Sequence, residues 1–243
     1  MRRDRSSRNF YPVVLIFGAL LVIALALVML YMLERLSAEQ DTIIADPEPK
    51  AVGFDAEPGE GGWRPLFNGH TLDGWEITNF GPQGPVNVRD SSIILNFGDG
   101  ATGITWTGDF PVTNYELSLE AMRIDGNDFF CGLTFPVGDE HCTFITGGWG
   151  GALVGISSID GKDASENFTT TRIAFENRRW YQIRVLVDQE SIRCFIDDEE
   201  IVTVPVGNHS FSVRPEVSLS RPLGIASWVT TASIRNIRFR ELR

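Results

Sequence analysis

Two polar stretches of the chain carry the side chains that could act on a ligand. The first ends in Asn127 and Asp128, just before an apolar run that begins at Phe129. A carboxylate held in a site can work as a general acid or base. Asp128 is therefore a catalytic candidate, and Asn127 is a candidate for substrate binding. Because Asp and Asn are also common turn formers, a solvated turn is the alternative for both.

The second stretch is a polar loop that follows Ser157 and Ser158. From it we take Asp160 and Glu166 as catalytic candidates and Lys162, Asp163 and Asn167 as substrate-binding candidates. A solvated turn is again the alternative. Calcium prefers several oxygen ligands, so Asp160, Asp163 and Glu166 are also a possible calcium site. Their spacing matches no ordered calcium loop, and we expect neither a bound metal nor a cofactor.

Two further polar candidates stand apart from these stretches. His141 is a candidate acid or base, but it cannot pair with Cys142 on a metal, because neighbours on a strand point to opposite faces. Arg221 precedes Pro222 and could clamp a ligand oxygen, with a surface ion pair as the alternative.

The aromatic residues supply candidates for a flat binding surface. Trp149 is flanked by two glycines on each side, which can bring the backbone close to a ligand and leave the indole exposed. The alternative is a core tryptophan between flexible turns. Trp106, Trp180 and Trp228 occur in strand-like runs, and we expect them in the core.

Alternation of apolar and polar residues predicts strands throughout the region after residue 63. The pattern is clearest over Tyr115–Met122, Tyr181–Val187 and Ile192–Ile196. The last two of these and a further strand that ends at Val204 are predicted to form a three-stranded meander. Shorter strands are predicted at Ile93–Phe97, Gly103–Trp106, Phe129–Phe135, Cys142–Thr146, Ala152–Ile156, Arg172–Phe175, Gly224–Trp228 and Ser233–Glu241. About a dozen short strands in one domain indicate an all-β, two-sheet sandwich of jelly-roll type. The three cysteines, Cys131, Cys142 and Cys194, are expected to be buried free thiols, with a Cys131–Cys142 disulfide as the alternative.

The N-terminal quarter of the chain has a different composition. Residues 11–33 carry no charge and would form a helix of about 34 Å, enough to cross a membrane. Four arginines in residues 1–10 predict a cytoplasmic N-terminus. A cleaved signal ending near Ala24-Leu25-Ala26 is the alternative, although the apolar run continues past it. Residues 34–62 are acidic and contain prolines, which predicts a flexible linker to a domain over 63–243, with a segment packed onto the surface of that domain as the alternative.

The charge of the chain narrows the choice of partners. The formal net charge is −11, and residues 1–10 contribute +3 of positive charge, so the remainder carries −14. Such a surface repels nucleic acid and anionic headgroups. We therefore expect no nucleic-acid partner. From the uncharged run and the arginines before it, we expect a single-pass protein of the cell membrane whose C-terminal domain lies on the extracytoplasmic side. We expect that domain to be monomeric.

Four segments, taken in order, resemble the landmarks of the 3-keto-disaccharide hydrolase family. They are Leu66–Trp75 (LFNGHTLDGW), Asn114–Leu117 (NYEL), Arg179–Val185 (RWYQIRV) and Ile234–Leu242 (IRNIRFREL). The resemblance implies a concanavalin-like sandwich, an exported or surface location, and action on sugars oxidised at carbon 3, by hydrolysis or by elimination. The chain departs from the family at His141–Thr146, at Cys194 and at Ile225–Trp228, where the family usually carries a carboxylate, a histidine and a Gln-Asp-His cluster. No catalytic role is therefore carried over from the family.

Two functions follow from these observations. The first is an enzyme that cleaves 3-keto glycosides with an acid or base drawn from Asp128, His141, Asp160 or Glu166. The second is a glycan-binding or surface-interaction module that uses Trp149 without turnover. Convergence of two carboxylates, or of a carboxylate and a cation, beside Trp149 would favour the enzyme.

Overall fold

The computed structural model describes residues 59–242 together with Val28, Met29 and Met32. The chain divides into two units, Met1–Pro49 and Lys50–Arg243. In the first unit the three described residues are helical and exposed. The remainder of the predicted tip, membrane helix and linker, up to residue 58, lies outside the described residues. Within the part of the chain that is described, no helix is both long and apolar enough to span a bilayer.

Residues 59–242 contain fifteen strands. They are β1 (Arg64–Pro65), β2 (Trp75–Ile77), β3 (Val86–Arg89), β4 (Ser92–Leu95), β5 (Ala101–Trp106), β6 (Tyr115–Gly126), β7 (Cys131–Val137), β8 (Glu140–Gly147), β9 (Leu153–Ser157), β10 (Thr171–Arg172), β11 (Trp180–Val187), β12 (Ser191–Ile196), β13 (Glu199–Pro205), β14 (Gly224–Trp228) and β15 (Thr230–Glu241). A four-residue helical turn at Gly148–Gly151 and short 3-10 turns at Glu60–Gly62, Val206–Asn208 and Pro215–Ser220 complete the described elements.

The strands form two antiparallel sheets, which confirms the predicted two-sheet, all-β sandwich. The eight-stranded sheet has the order β13-β12-β11-β6-β15-β4-β3, with β1 paired to β15. The seven-stranded sheet has the order β10-β9-β8-β7-β14-β5-β2. Because side chains alternate along each strand, both sheets turn one apolar face inward, and the main core lies between them.

Packing of the core follows this alternation. Tyr115, Leu117 and Leu119 of β6 are fully buried, as are Ile183 and Val185 of the neighbouring β11. Across the core, the Tyr115 hydroxyl donates a hydrogen bond of 2.6 Å to the Pro136 carbonyl oxygen in the opposite sheet. Burial raises the pKa of this hydroxyl well above its usual value, so the group stays a neutral donor.

The predicted state of the cysteines is confirmed. Cys131, Cys142 and Cys194 are free and buried. Cys131 faces Thr146 and Cys142 faces Phe135 across the β7–β8 pair, so the two thiols do not oppose each other. Burial raises the pKa of Cys131 to about 12, and such a thiol is unreactive at neutral pH.

Some predicted strand limits were wrong, mostly at edges. Strands β1, β2 and β3 were not predicted because they are only two to four residues long, too short for alternation to distinguish them from loops. The predicted strand Phe129–Phe135 begins two residues later, and Arg172–Phe175 is a strand only at its first residue. Trp106 is buried as expected, whereas Trp180 and Trp228 are partly exposed, which corrects the expectation that both lie in the core.

Candidate functional site

The outer face of the seven-stranded sheet carries the candidate site. On β8, Phe144 points into the main core, whereas Ile145 belongs to a second apolar cluster on the other face of the sheet. The same alternation separates Ile225 from Ala226 on β14. The second cluster is covered in part by Val217, from the 3-10 turn at Pro215–Ser220.

A cleft of about 200 Å³ opens beside this cluster. Its aromatic walls are Phe129, Trp149 and Trp228. The rings of Phe129 and Trp228 lie 6.4 Å apart and are inclined by 32°. Trp149 is 38% exposed, so one part of its ring is free to contact a ligand, as the glycine-rich sequence around it predicted.

Glycines give the Trp149 loop its conformation. Gly147, Gly150 and Gly151 have φ of 80°, 87° and 96°, values that suit glycine, and Trp149 itself has φ of 45°. A side chain at Gly148 would also be too close to the sheet, because its Cβ would lie 2.9 Å from a methyl group of Ile145. The loop therefore folds tightly over β8 and turns the indole toward the cleft.

A buried arginine holds the far end of this loop. Arg123 donates hydrogen bonds of 3.1 Å to the Gly151 carbonyl oxygen, 2.7 Å to the Phe175 carbonyl oxygen and 2.7 Å to Asn177 Oδ1. All three acceptors are neutral. Burial lowers the pKa of Arg123 from its usual value, although not enough to remove its charge at neutral pH.

Asp128 lines the cleft directly below the Trp149 loop. Its Oδ1 accepts a 2.7 Å hydrogen bond from the backbone N–H of Phe129, and its own N–H donates to Thr230 Oγ1 at 3.1 Å. Partial burial raises the pKa of Asp128, and hydrogen bonds from the N–H groups of Phe129, Trp149 and Gly150 oppose that rise. The net result is a more basic carboxylate than an exposed aspartate provides.

A cation and a second carboxylate form the rim of the cleft. Arg214 donates to Asp163 Oδ2 at 2.7 Å, to Glu216 Oε1 at 2.8 Å and to Glu216 Oε2 at 3.3 Å. Its guanidinium carbon lies 5.8 Å from the centre of the Trp149 ring. The hydrogen bonds with Arg214 lower the pKa of Glu216 and raise that of Arg214, so both groups are charged.

Hydroxyl groups and an isoleucine form the floor of the cleft. Thr143 and Ser157, on the adjacent strands β8 and β9, are each 1% exposed and line the cleft with Ile145. Thr143 Oγ1 is hydrogen-bonded to Thr134 Oγ1 at 2.9 Å. Ser157 Oγ is buried and has no hydrogen-bond partner.

The other candidates taken from the polar loop fall outside the cleft. Asp160 is exposed and bound to His209 Nδ1 at 2.7 Å and to the Ser210 N–H at 3.0 Å, and these contacts lower its pKa. Asp163 reaches the cleft only through Arg214. Lys162 and Glu166 are exposed.

Asn167 has a structural position in the same loop. Its Nδ2 donates to the carbonyl oxygens of Ile156, Lys162 and Asp163, at 2.8, 3.1 and 2.8 Å. Its Oδ1 accepts hydrogen bonds from Thr169. The amide is thus fully engaged in holding the loop together.

The remaining predicted residues lie around the cleft rather than in it. Asn127 is exposed in the turn between β6 and β7. His141 is half-buried on the same strand as Thr143, and burial together with the charge of Arg221 lowers its pKa. Arg221 is exposed and donates to the Ser218 carbonyl oxygen at 2.9 Å. Within residues 59–242, no three His, Cys, Asp or Glu side chains come together as a metal site, so Asp160, Asp163 and Glu166 form no calcium cage.

Sequence reasoning missed eight residues that line the cleft: Phe129, Thr143, Ile145, Ser157, Arg214, Glu216, Val217 and Trp228. Only Asp128 and Trp149 among the predicted residues line the cleft. The sole sequence signal for the rim was the run Arg214-Pro215-Glu216, which carries opposite charges two residues apart.

Comparisons with known proteins agree with this architecture. Residues 62–240 match a family described as the 3-keto-alpha-glucoside-1,2-lyase-like domain. No curated protein matches the chain.

Solved structures with the same fold are distant in sequence. A Crh5 transglycosylase in complex with NAG is 14% identical with a TM-score of 0.50, over 72% of this chain and 81% of the other. A protein with a galectin-like fold from Bacillus subtilis is 10% identical with a TM-score of 0.51, over 74% and 96%. At these identities the likeness concerns the fold.

Proposed function

Because the chain belongs to the family of 3-keto-alpha-glucoside-1,2-lyase-like domains over residues 62–240, we propose that its cleft binds a 3-keto glycoside and cleaves it by elimination. The observation that carries this proposal is the convergence of three groups in one cleft: the Asp128 carboxylate, the Arg214 guanidinium and the Trp149 ring. The two-sheet sandwich, which is shared with carbohydrate-active proteins, supports a sugar ligand.

The chemistry of a 3-keto sugar matches these groups. The carbonyl at carbon 3 acidifies the proton on carbon 2, so a carboxylate base can remove it. Asp128 takes this proton, and the electron pair forms an enolate whose oxygen needs a nearby cation. Arg214 uses three of its five N–H groups on Asp163 and Glu216, which leaves two for that oxygen.

The second half of the reaction breaks the glycosidic bond. The enolate electrons form a double bond between carbons 1 and 2, the bond from carbon 1 to the glycosidic oxygen breaks, and the proton held by Asp128 passes to the departing oxygen. The products are an unsaturated ketone and a free alcohol. Trp149 orients the ring by contact with its apolar face.

Elimination fits the cleft better than hydrolysis by two carboxylates. A hydrolytic route needs a protonated acid at the glycosidic oxygen and usually a second carboxylate free to act. Glu216 is the other carboxylate of the cleft, but both of its oxygens are bound to Arg214. It therefore serves to hold Arg214 in place.

Turnover of a 3-keto disaccharide by the purified chain tests the proposal. Elimination releases free sugar together with an unsaturated ketone that absorbs ultraviolet light, whereas hydrolysis releases free sugar alone. We expect Asp128→Asn to lower the rate by about 10²–10⁴, the usual contribution of a general base. Asp125→Asn is the matched control, because Asp125 is exposed and does not line the cleft. Equal rates for the two variants would refute the role of Asp128.

The glycan-binding module remains the second candidate function, because the exposed ring of Trp149 can hold a sugar without turnover. In that case the chain would bind the disaccharide saturably, release no product and lose the binding in Trp149→Ala.

We also propose that the domain works outside the cytoplasm, tethered by a membrane helix at residues 11–33. The uncharged run and the four arginines before it support this placement. Protease added to intact cells should degrade the domain while residues 1–10 stay protected. Recovery of the whole chain in the soluble fraction would refute the tether.

A further inference from the structure

The hydroxyl of Ser157, on the floor of the cleft, makes no hydrogen bond within residues 59–242. Ser157 is 1% exposed, and its Oγ has no partner among the described residues. A buried hydroxyl without a hydrogen bond destabilises the fold, so such groups are uncommon in folded proteins. The cost is recovered when a ligand oxygen or N–H reaches the hydroxyl.

The other buried hydroxyl groups without hydrogen-bond partners in residues 59–242 lie outside the cleft. Thr146, Ser220 and Ser227 also have buried hydroxyl groups without partners, but none of them lines the cleft. The neighbouring floor hydroxyl, Thr143 Oγ1, is already bonded to Thr134. Among the described residues that line the cleft, Ser157 is therefore the one with a buried hydroxyl that has no hydrogen-bond partner.

We propose that Ser157 is the residue that determines which sugar ring the cleft accepts, by a hydrogen bond from its Oγ to one oxygen of that ring. The inference rests on the proposed function, because it assumes a 3-keto glycoside in the cleft. It goes further by assigning a binding contact to a residue that lines the same cleft as the exposed Trp149 ring. A ring that lacks the contacted oxygen would leave Ser157 unpaired and bind less well.

The size of the cleft narrows the substrate class. Its volume of about 200 Å³ lies below the range of about 300–1,000 Å³ that is usual for pockets holding drug-sized ligands. One sugar ring fits such a volume, and the rest of the glycoside must lie outside. We therefore expect the chain to act on the terminal 3-keto ring of a disaccharide or of a chain end.

Binding by the full chain tests the role of Ser157. Quenching of tryptophan fluorescence on rapid mixing with a 3-keto disaccharide reports binding before turnover, because Trp149 and Trp228 lie in the cleft. We expect Ser157→Ala to weaken binding about 10-fold, the effect of one neutral hydrogen bond. Ser220→Ala, which removes a buried unpartnered hydroxyl outside the cleft, should bind as the wild type does.

A series of substrates, each lacking one hydroxyl, identifies the contact. The wild-type chain should bind one member about 10-fold more weakly than the parent sugar, and Ser157→Ala should bind that member and the parent equally. Thermal unfolding separates recognition from packing. Since the hydroxyl is unpaired in the free protein, Ser157→Ala should unfold at the wild-type temperature or above it.

The outcomes are distinguishable. Unchanged binding by Ser157→Ala, with normal binding and turnover by the wild type, overturns the role of Ser157 and leaves the proposed function intact. Weakened binding without any turnover by the wild type supports the role of Ser157 and refutes catalysis. A lowered unfolding temperature in Ser157→Ala would show a packing role and overturn the inference. A wild-type chain that does not bind the sugar overturns both.

Discussion

Replacement of Arg123 by methionine should both destabilise the fold and loosen the cleft. Arg123 donates three hydrogen bonds from a charged group, to Gly151, Phe175 and Asn177. Each such bond contributes about 1.5–3 kcal/mol. Because the substitution also recovers the cost of burying a charge, we take the low end and expect a loss of about 4 kcal/mol in the free energy of unfolding. Urea denaturation followed by tryptophan fluorescence measures this loss.

The control for this experiment is Arg172→Met. Arg172 is exposed on the edge strand β10, and its replacement should change the free energy of unfolding by less than about 0.5 kcal/mol. Since Arg123 holds the loop that carries Trp149, Arg123→Met should also weaken sugar binding, whereas Arg172→Met should not. A loss of less than about 1 kcal/mol in Arg123→Met would refute the argument that this guanidinium holds the loop.

Three further predictions concern charge, a buried ion pair and a close contact. Partial burial raises the pKa of Asp128, so kcat/KM for elimination should rise with pH through a midpoint above that of an ordinary aspartate. The raised pKa also makes stability depend on pH: the contribution of Asp128 is present below the pKa of the unfolded chain and is lost as the pH rises through the folded pKa. Asp128→Asn should remove this loss when the free energy of unfolding is measured by urea titration at a series of pH values. The Glu116 side chain is 3% exposed and forms ion pairs with Arg184 and Arg240. Glu116→Ala should lower the free energy of unfolding by about 3–5 kcal/mol in urea denaturation. Glu76→Ala, at an exposed position, should change it little. A Cβ at Gly74 would lie 2.4 Å from Trp106, so Gly74→Ala should lower the free energy of unfolding by about 2–4 kcal/mol, whereas Gly81→Ala, also at positive φ but in open space, should lower it by about 1.

The strands that could be predicted are those with one buried face. Residues 115–122 and 181–187 alternate over seven or more positions, and both became central strands of the eight-stranded sheet. Strands β1, β2 and β3 are two to four residues long, and tertiary pairing rather than local pattern defines them. Alternation also cannot tell which face of a sheet looks inward, which is why Trp228 was expected in the core.

The candidate site was only partly predictable because distant segments build it. Asp128 and Trp149 could be found from the polar residues before a strand and from the glycines around an indole. Arg214 and Ser157 are separated by more than fifty residues in sequence, and only the folded chain brings both into the cleft. No sequence pattern marks Ser157, since an unpaired hydroxyl is a property of its surroundings.

The position of β15 in the eight-stranded sheet determines when, during synthesis, that sheet can fold. Among the described strands β15 comes last in sequence, and it lies between β6 and β4 while also pairing with β1. A nascent chain that does not yet include Thr230–Glu241 lacks the strand that pairs with β1, β4 and β6, and this strand contributes Ile234, Ile237 and Phe239 to the core. Folding of the eight-stranded sheet must therefore wait until Thr230–Glu241 has been synthesised, and until then the incomplete sheet needs protection from aggregation.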